Sequence, residues 1–406
     1  MSQKRIIGAV EIGTSKVIVL VGELDGRRHL NIIGKGQSTS HGVRKGEIVD
    51  LKAAAGCTHA ALIAAEKNAG ANIEGVYLAA SGSHLAGFAN RGVTNVSASD
   101  GSIRNADVAR ASADAKSKAL PADRVYVHHM RTGSLVDGRR VDNPLAMVGE
   151  RLEMTYWHVH ADERKIQNMI RVVNGFGLDV EDVIVSSIAS GSIIASQEEK
   201  AAGVLVVDIG SGASDYVLYR NGCIQRSGVI AVGGDHFTND LSIGLRINAS
   251  NAENIKHRCG KAIVDKRDKQ EQVLMYGDLR IGDRPIPRNA IYRILHARAE
   301  ELFMILKNKL GSALNAQNLP GGVILTGGGS ALHSLGEAAR PVLGVEVRLG
   351  ESPSWVRDIA LRRPEYATVF GLLYYGLSAQ QSDDDDAQDV AGGGLFQRVA
   401  KIFNVG

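Results

Sequence analysis

Apolar residues come in short blocks along the first forty positions, each closed by glycine or a charged residue. "RIIGAVEIG" is a nearly continuous apolar run ending in Glu11, "KVIVLVGEL" follows a Gly/Thr/Ser turn, and "NIIGKG" makes a third block. Short apolar runs bounded by turn residues predict buried strands. The same order returns from Gly203 in "GVLVVDIGSGASDYVLYRNGCIQRSGVIAVGG", with Asp208 in the place of Glu11. Such an internal repeat predicts two similar units. Helical sequence follows each copy, "LKAAAGCTHAALIAAEKNAG" after the first and "DHFTNDLSIGLR" after the second. The fold class is therefore α/β, with two lobes that each open on a three-strand meander.

Two stretches stand outside the repeat. Residues 83–160 hold "SGSHLAGFANRGVTNVSASDGSIRNADVARASADAK" and "ERLEMTYWHVH" and predict a small α/β unit of two or three strands and a helix. Residues 244–298 are charged and helix-rich. The pattern divides the first lobe into 1–82 and 161–198, with a return over 345–379. The second lobe takes 199–243 and 299–344, with 244–298 as its subdomain. Apolar periodicity then stops, and 380–394, "QQSDDDDAQDVAGGG" with its neighbours, reads as a disordered linker by composition. A terminal amphipathic segment occupies 395–406.

Composition narrows the picture. A chain of 406 residues with 44% hydrophobic and 22% charged positions is long enough for two cores. A net charge of +3 without a basic stripe gives no electrostatic case for nucleic acid. The N-terminus lacks the long apolar stretch of a signal peptide, and no run reaches the roughly 18 apolar residues of a spanning helix. Cys57, Cys223 and Cys259 are too few and too far apart for a disulfide framework, so they are expected as buried thiols of a cytoplasmic protein.

A buried strand that ends in a carboxylate and turns through "GTS" or "GSGAS" suits one chemistry. Small residues let successive backbone N–H groups converge on an anion. The neighbouring acid would repel a bare phosphate but is compatible with a hydrated Mg²⁺ between them. Two such hairpins facing each other form a phosphate clamp. A third element, "VILTGGGSALHSL", ends a strand in Gly327, Gly328 and Gly329, where a ligand can approach the backbone. Ser330 is placed to cap the helix expected after it. One glycine run is explained as well by a tight turn; three at corresponding places in two lobes predict a nucleotide site.

"VEIGTSKV", "VVDIGSGASDYVLY" and "LTGGGSAL" are similar in order and spacing to the two phosphate motifs and the adenosine motif of the actin, Hsp70 and sugar-kinase superfamily. Within it the chain resembles the FtsA family of bacterial cell-division actin homologues. "AVEIGTSKVIVLVGEL", "KGEIVDL", "AENIKHRCG" and "ATVFGLLYYG" carry the likeness over essentially the whole length. The resemblance implies two actin-like, RNase H-like lobes around a nucleotide cleft, with 83–160 in place of the family's extra subdomain. It further implies ATP and Mg²⁺ as cofactors. Gly13, Thr14, Ser15 and Lys16 in one hairpin and Gly210, Ser211, Gly212 and Ala213 in the other would hold the terminal phosphates, with Gly233 and Gly234 nearby. Glu253 and Lys256, a helical turn apart, would face ribose or adenine, and Glu11 and Asp208 would orient the metal. Related ATPases carry a water-orienting Gln, Glu or Asp in the segment that here reads "VIVSSIASGSIIA" and offers only Ser186 and Ser187. Slow or negligible hydrolysis is the expectation.

The partners implied are other copies of the chain in a filament, the tubulin-like division protein FtsZ, further division proteins at the inserted subdomain, and an anionic membrane. Arg284 and Arg288 mark the surface for FtsZ. At about 100° per residue, Leu395, Phe396, Val399, Ile402 and Phe403 fall within an arc of about 120°, with Arg398 and Lys401 outside it. Behind a spacer with a reach of about 20 Å, this face suits the headgroup boundary of the cytoplasmic membrane at the division site. Docking on the chain's own body is the alternative for the segment. For the whole protein the alternatives are a small-molecule kinase and a pilus-assembly ATP-binding relative. "TYWHVH" places His158 and His160 on one strand face, but without a third ligand this is read as surface strand pairing.

Overall fold

The computed structural model describes residues 5–24, 30–264, 272–275 and 284–386. The first meander is β1 (Arg5–Ile12), β2 (Lys16–Leu24) and β3 (Leu30–Thr39), followed by a small hairpin of β4 (Val43–Arg44) and β5 (Glu47–Ile48). Asp50 then caps α1 (Leu51–Ala69) by accepting from the Ala53 amide, and Gly70 ends it in a left-handed conformation. Next comes β6 (Gly75–Ala80), which lies parallel to β1.

The chain leaves the lobe through β7 (Ala86–Asn95), α2 (Asn105–Lys116), β8 (Arg124–Val136), β9 (Arg139–Val141) and β10 (Arg151–Asp162). These form a four-stranded sheet in the order β7-β10-β8-β9, one strand more than the pattern predicts. The chain re-enters through α3 (Glu163–Asn174), β11 (Val180–Val185) and α4 (Ser186–Ile194). A short α5 (Gln197–Ala202) leads to the second meander, β12 (Val204–Ile209), β13 (Ser214–Arg220) and β14 (Cys223–Ile230). Then follow α6 (Gly234–Leu245), α7 (Ala249–Cys259), the pair β15 (Gln272–Met275) and β16 (Arg284–Pro287), and α8 (Arg288–Leu310). The described chain closes with β17 (Val323–Thr326), α9 (Leu335–Leu343), β18 (Val347–Leu349) and α10 (Ala367–Asp386).

The repeat survives as topology. One sheet runs β11-β6-β1-β2-β3 and the other β18-β17-β12-β13-β14, each with its first strand antiparallel to the second and parallel to a later one. Strand alternation divides the cores. Val204, Val206, Val217 and Tyr219 pack into the first lobe's core through α4, while Leu205, Val207, Tyr216 and Leu218 face the second lobe's own core. α4 and α10 cross tightly between the lobes, and only glycine fits at Gly371, where an added Cβ would lie 1.9 Å from the Ala189 carbonyl oxygen.

Several expected boundaries move. α8 runs unbroken across the boundary at 298/299 because its apolar face (Ile291, Leu295, Leu302, Leu306) continues until Gly311. β18 pairs with β17, so the return to the first lobe begins after Leu349 rather than at 345. α10 continues to Asp386, making 380–386 helical where a linker was expected. Acidic residues are unfavourable at a helix C-terminus, so composition alone stops the helix too early. The rest of the expected linker and the amphipathic segment, with Leu395, Phe396, Val399, Ile402 and Phe403, lie outside the described residues. No helix among the described residues is long and apolar enough to cross a membrane.

The histidine strand is not a surface feature. His158 is fully buried among Phe88, Tyr126 and Tyr156, and its Nδ1 lies 2.6 Å from that of His129. Burial lowers both imidazoles to about 4 and keeps them neutral. His128 faces the other way and accepts from the Val185 amide. Of the thiols only Cys57 is buried; Cys223 and Cys259 are partly exposed.

The inserted unit is fastened at both of its crossings. Ser83 donates to Glu47 Oε1 (2.8 Å) and Lys165 to Oε2 (2.6 Å). It also touches the second lobe, where Trp157 Nε1 donates to Ser227 Oγ on β14 (3.1 Å).

Candidate functional site

The two hairpins of the repeat face each other across a cavity of about 280 Å³. Their turns are closed alike, by Gly13 N to the Lys16 carbonyl (3.1 Å) and Gly210 N to the Ala213 carbonyl (2.9 Å). Glu11, Gly13, Thr14, Ser15 and Lys16 line one side, and Asp208, Gly210, Ser211, Gly212 and Ala213 the other. Gly234, Glu253 and Lys256 add a third wall, and Gly327, Gly328 and Gly329 a fourth. Gly233 sits behind the lining, packed on the Gly210 and Ser211 carbonyls. Arg284 lies on β16 and Arg288 opens α8; neither lines the cavity.

The glycines of the third turn are there for geometry. Gly327 has φ of +81°, and a Cβ on it would lie 2.2 Å from Asp208 Oδ1. Ser330 does not cap a helix. It sits in a tight 3-10 turn over Gly328–Ala331 and donates to the Gly327 carbonyl (2.7 Å), and α9 starts only at Leu335. A serine satisfied three residues back competes with capping a helix ahead.

Cross-strand register places the acids. Asp208 is paired with Asp215, so both side chains share the sheet face that carries Val206 and Val217, towards the first lobe. Thr368 on α10 donates to Asp208 (2.9 Å), and Ser81, just past β6, donates to Asp215 Oδ2 (2.6 Å). The lobes also meet where Gly212 packs against Thr14 and Lys45, and within the first lobe the Gly46 amide donates to Thr14 Oγ1 (3.0 Å).

The acids are held against their chemistry. Burial, reinforced by Asp208, pushes Glu11 up to about 8. Burial raises Asp208 to about 6 in spite of hydrogen bonds from Thr368 and Ser190. Burial also takes Asp215 to about 8 against the Ser81 hydrogen bond. The lining cation of the first hairpin, Lys16, is paired with Glu365 (2.6 Å). A cluster of carboxylates in this state favours any cation that enters. Against the upward push of burial, hydrogen bonds from Lys256 and Thr238 hold Glu253 below the ordinary carboxylate range. Lys256 also donates to the Gly234 carbonyl (3.1 Å) and is set 2.8 Å from Glu253, so the pair is preoriented at the cavity edge.

Asp215, Ser81, Glu365 and Thr368 were missed by sequence reasoning. Only Asp215 had a local signal: it stands as far after the "GSGA" turn's centre as Asp208 stands before it, as cross-strand partners must.

Two family descriptions match the chain. "SHS2 domain inserted in FTSA" covers residues 82–160, and "Cell division protein FtsA" covers residues 205–371. The cell division protein FtsA of Pseudomonas aeruginosa is 32% identical over 397 residues, spanning 96% of this chain and 93% of that protein. The chain belongs to the FtsA family. FtsA of Escherichia coli K12 is 29% identical over 400 residues, spanning 95% and 94%. Family membership makes this an actin-like cell-division protein. Among solved structures, the PilM-PilN type IV pilus biogenesis complex matches with a TM-score of 0.63 at 18% identity, covering 91% of this chain and 98% of that one. MreB5 of Spiroplasma citri bound to ADP matches at 0.58 and 13% identity, covering 95% and 99%. At these identities the likeness establishes the two-lobed actin-like fold for this FtsA-family chain.

Proposed function

We propose that this FtsA-family chain binds ATP between its lobes, polymerises, and tethers a tubulin-like division polymer, FtsZ, to the inner face of the cytoplasmic membrane at the division site. The observation that carries the reading is the convergence of three glycine turns, from both lobes, with two carboxylate-ended strands on one cavity. The hairpin turns suit the terminal phosphates, the Gly327–Gly329 turn the adenosine, and Glu253 with Lys256 the ribose or base edge. Glu11 and Asp208 suit a magnesium ion held through its waters, since both acids line the cavity at the phosphate end and a cation there would favour their ionised forms. The ion would supply charge neutralisation; the chain's own turns do the holding.

Attachment to lipid falls to Leu395, Phe396, Val399, Ile402 and Phe403. A single short amphipathic helix binds weakly and reversibly, so several copies on one filament are needed for stable attachment. The inserted subdomain would meet neighbouring copies and further division proteins, and Arg284 with Arg288 would face FtsZ. A small-molecule kinase has no use for such a tail, and family membership speaks against a pilus-assembly role.

The test is sedimentation with anionic liposomes in Mg-ATP, comparing the full chain with one ended at Asp386, where α10 stops. The full chain is expected in the lipid pellet and the shortened chain in the supernatant, with equal ATP affinity. Recovery of both in the supernatant under polymerising conditions overturns the tether.

A further inference from the structure

We propose that Asp215 orients the attacking water when ATP is hydrolysed in this cleft, and that Ser81 is the positioning residue that fixes its carboxylate from the opposite lobe. The inference rests on the reading of the cleft as an ATP site and assigns it a hydrolytic residue.

The segment where a water-orienting side chain is expected is already committed. Ser186 donates to the Ala80 carbonyl (3.2 Å), and Ser190 hydrogen-bonds Asp208. Ser187 is buried and is not among the residues lining the cavity.

Asp215 reaches the cavity from a different element, the start of β13. The repeat maps it onto Ile18, which lines the cavity from β2. An apolar side chain in one hairpin and a carboxylate in the other break the symmetry of the clamp. On the first side the complementary asymmetry is Lys16, which the repeat maps onto Ala213. Cation and carboxylate therefore stand on opposite hairpins at the phosphate end.

The oxygens of Asp215 are differently used. Oδ2 accepts from Ser81 Oγ, while Oδ1 is sealed from bulk solvent and without a hydrogen-bond partner. A buried acceptor lacking a donor is costly and signals a missing partner. A water between Oδ1 and the terminal phosphate supplies that donor. Asp208, by contrast, takes hydrogen bonds from two hydroxyls, Thr368 and Ser190.

In the step, the water oxygen bonds to the γ-phosphorus as the bond from that phosphorus to the β,γ-bridging oxygen breaks. The bridging oxygen leaves on ADP, and one water proton passes to an oxygen of the transferred phosphoryl group, giving inorganic phosphate. Asp215 acts in its ionised form, which the cation that enters with ATP favours over the protonated form of the ligand-free protein. It accepts a hydrogen bond throughout and takes no proton from the water, in line with a loose transition state in which positioning dominates.

The experiment measures equilibrium affinity for Mg-ATP and single-turnover phosphate release on the full chain and its Asp215→Asn, Ser81→Ala and Ser81→Thr variants. Asp215→Asn is expected to hold ATP within about threefold of wild type while releasing phosphate at least about thirtyfold more slowly. Ser81→Ala is expected to slow release several-fold at unchanged affinity, and Ser81→Thr, which keeps the hydroxyl, to restore it. Release by Asp215→Asn at the wild-type rate overturns the proposal, as does a wild type that releases no more than this variant. So does a loss of ATP affinity confined to Mg²⁺-containing buffer, which would make Asp215 a metal ligand. Failure of the wild type to bind ATP would sink the cleft reading itself, whereas changes in release alone leave that reading standing.

Discussion

Replacing Asp215 by Asn should stabilise the ligand-free protein, and increasingly so as the pH rises. The carboxyl group goes from an ordinary 3.8 in the unfolded chain to about 8 in the fold. Between these values the folded state holds a proton that the unfolded state has lost, so this residue lowers stability as pH increases. Each pH unit across that window is worth about 1.4 kcal/mol. From pH 6 to pH 8 the effect comes to about 2 kcal/mol, short of two full units because Asp215 is half ionised at the upper end. The wild-type curve alone would hide this. His84, His128, His129 and His158 are lowered to between about 3 and about 4 by burial, and such groups gain stability as pH rises through their unfolded value near 6.5. Four histidines at somewhat under about 1 kcal/mol each over the same interval offset the acids. The observable is therefore a difference. Urea unfolding of both proteins, followed by circular dichroism, should show the advantage of Asp215→Asn growing by about 2 kcal/mol from pH 6 to pH 8. An advantage that stays constant or shrinks would refute the burial of a protonated Asp215.

Gly327→Ala should cost about 2 kcal/mol or more in unfolding free energy, from the left-handed backbone and the contact with Asp208, and should lower ATP affinity at least about tenfold in equilibrium binding. Gly371→Val forces α10 off the Ala189 carbonyl and should destabilise by at least about 3 kcal/mol, seen as a lowered Tm; an unchanged Tm would mean the two helices do not meet as described. Phe396→Glu should abolish sedimentation with anionic liposomes and leave ATP affinity unchanged. A fall in ATP affinity would point instead to docking of the terminal segment on the body.

The repeat could be read because each meander announces itself locally. The run from Val204 to Ile209 is apolar on both faces, its acid falls at the strand end, and small residues turn the chain. What sequence could not supply is set by contacts across long separations. Ser81 meets Asp215, Thr368 meets Asp208 and Lys16 meets Glu365 only once both lobes have closed on α4 and α10. Where local signals conflicted, composition misled. The "DDDD" run hid the end of α10, and Ser330 followed its own turn rather than the helix expected next to it. His158 looked like a surface residue because nothing in "TYWHVH" indicates that α2 and its aromatic neighbours cover that face.

Glu47 has a mechanical meaning beyond its two hydrogen bonds. Ser83 and Lys165 stand at the two crossings of the inserted unit and share one carboxylate, so both crossings are tied to the same short hairpin of β4 and β5. With Trp157 bonded to Ser227 and His128 to the Val185 amide as well, residues 82–160 are held from several sides, and a displacement of the unit strains these contacts together. The far edge of the unit carries the exposed side chains of Leu145, Met147 and Val148. A load there is passed to Glu47, whose neighbour Gly46 donates to Thr14 on the wall of the cleft.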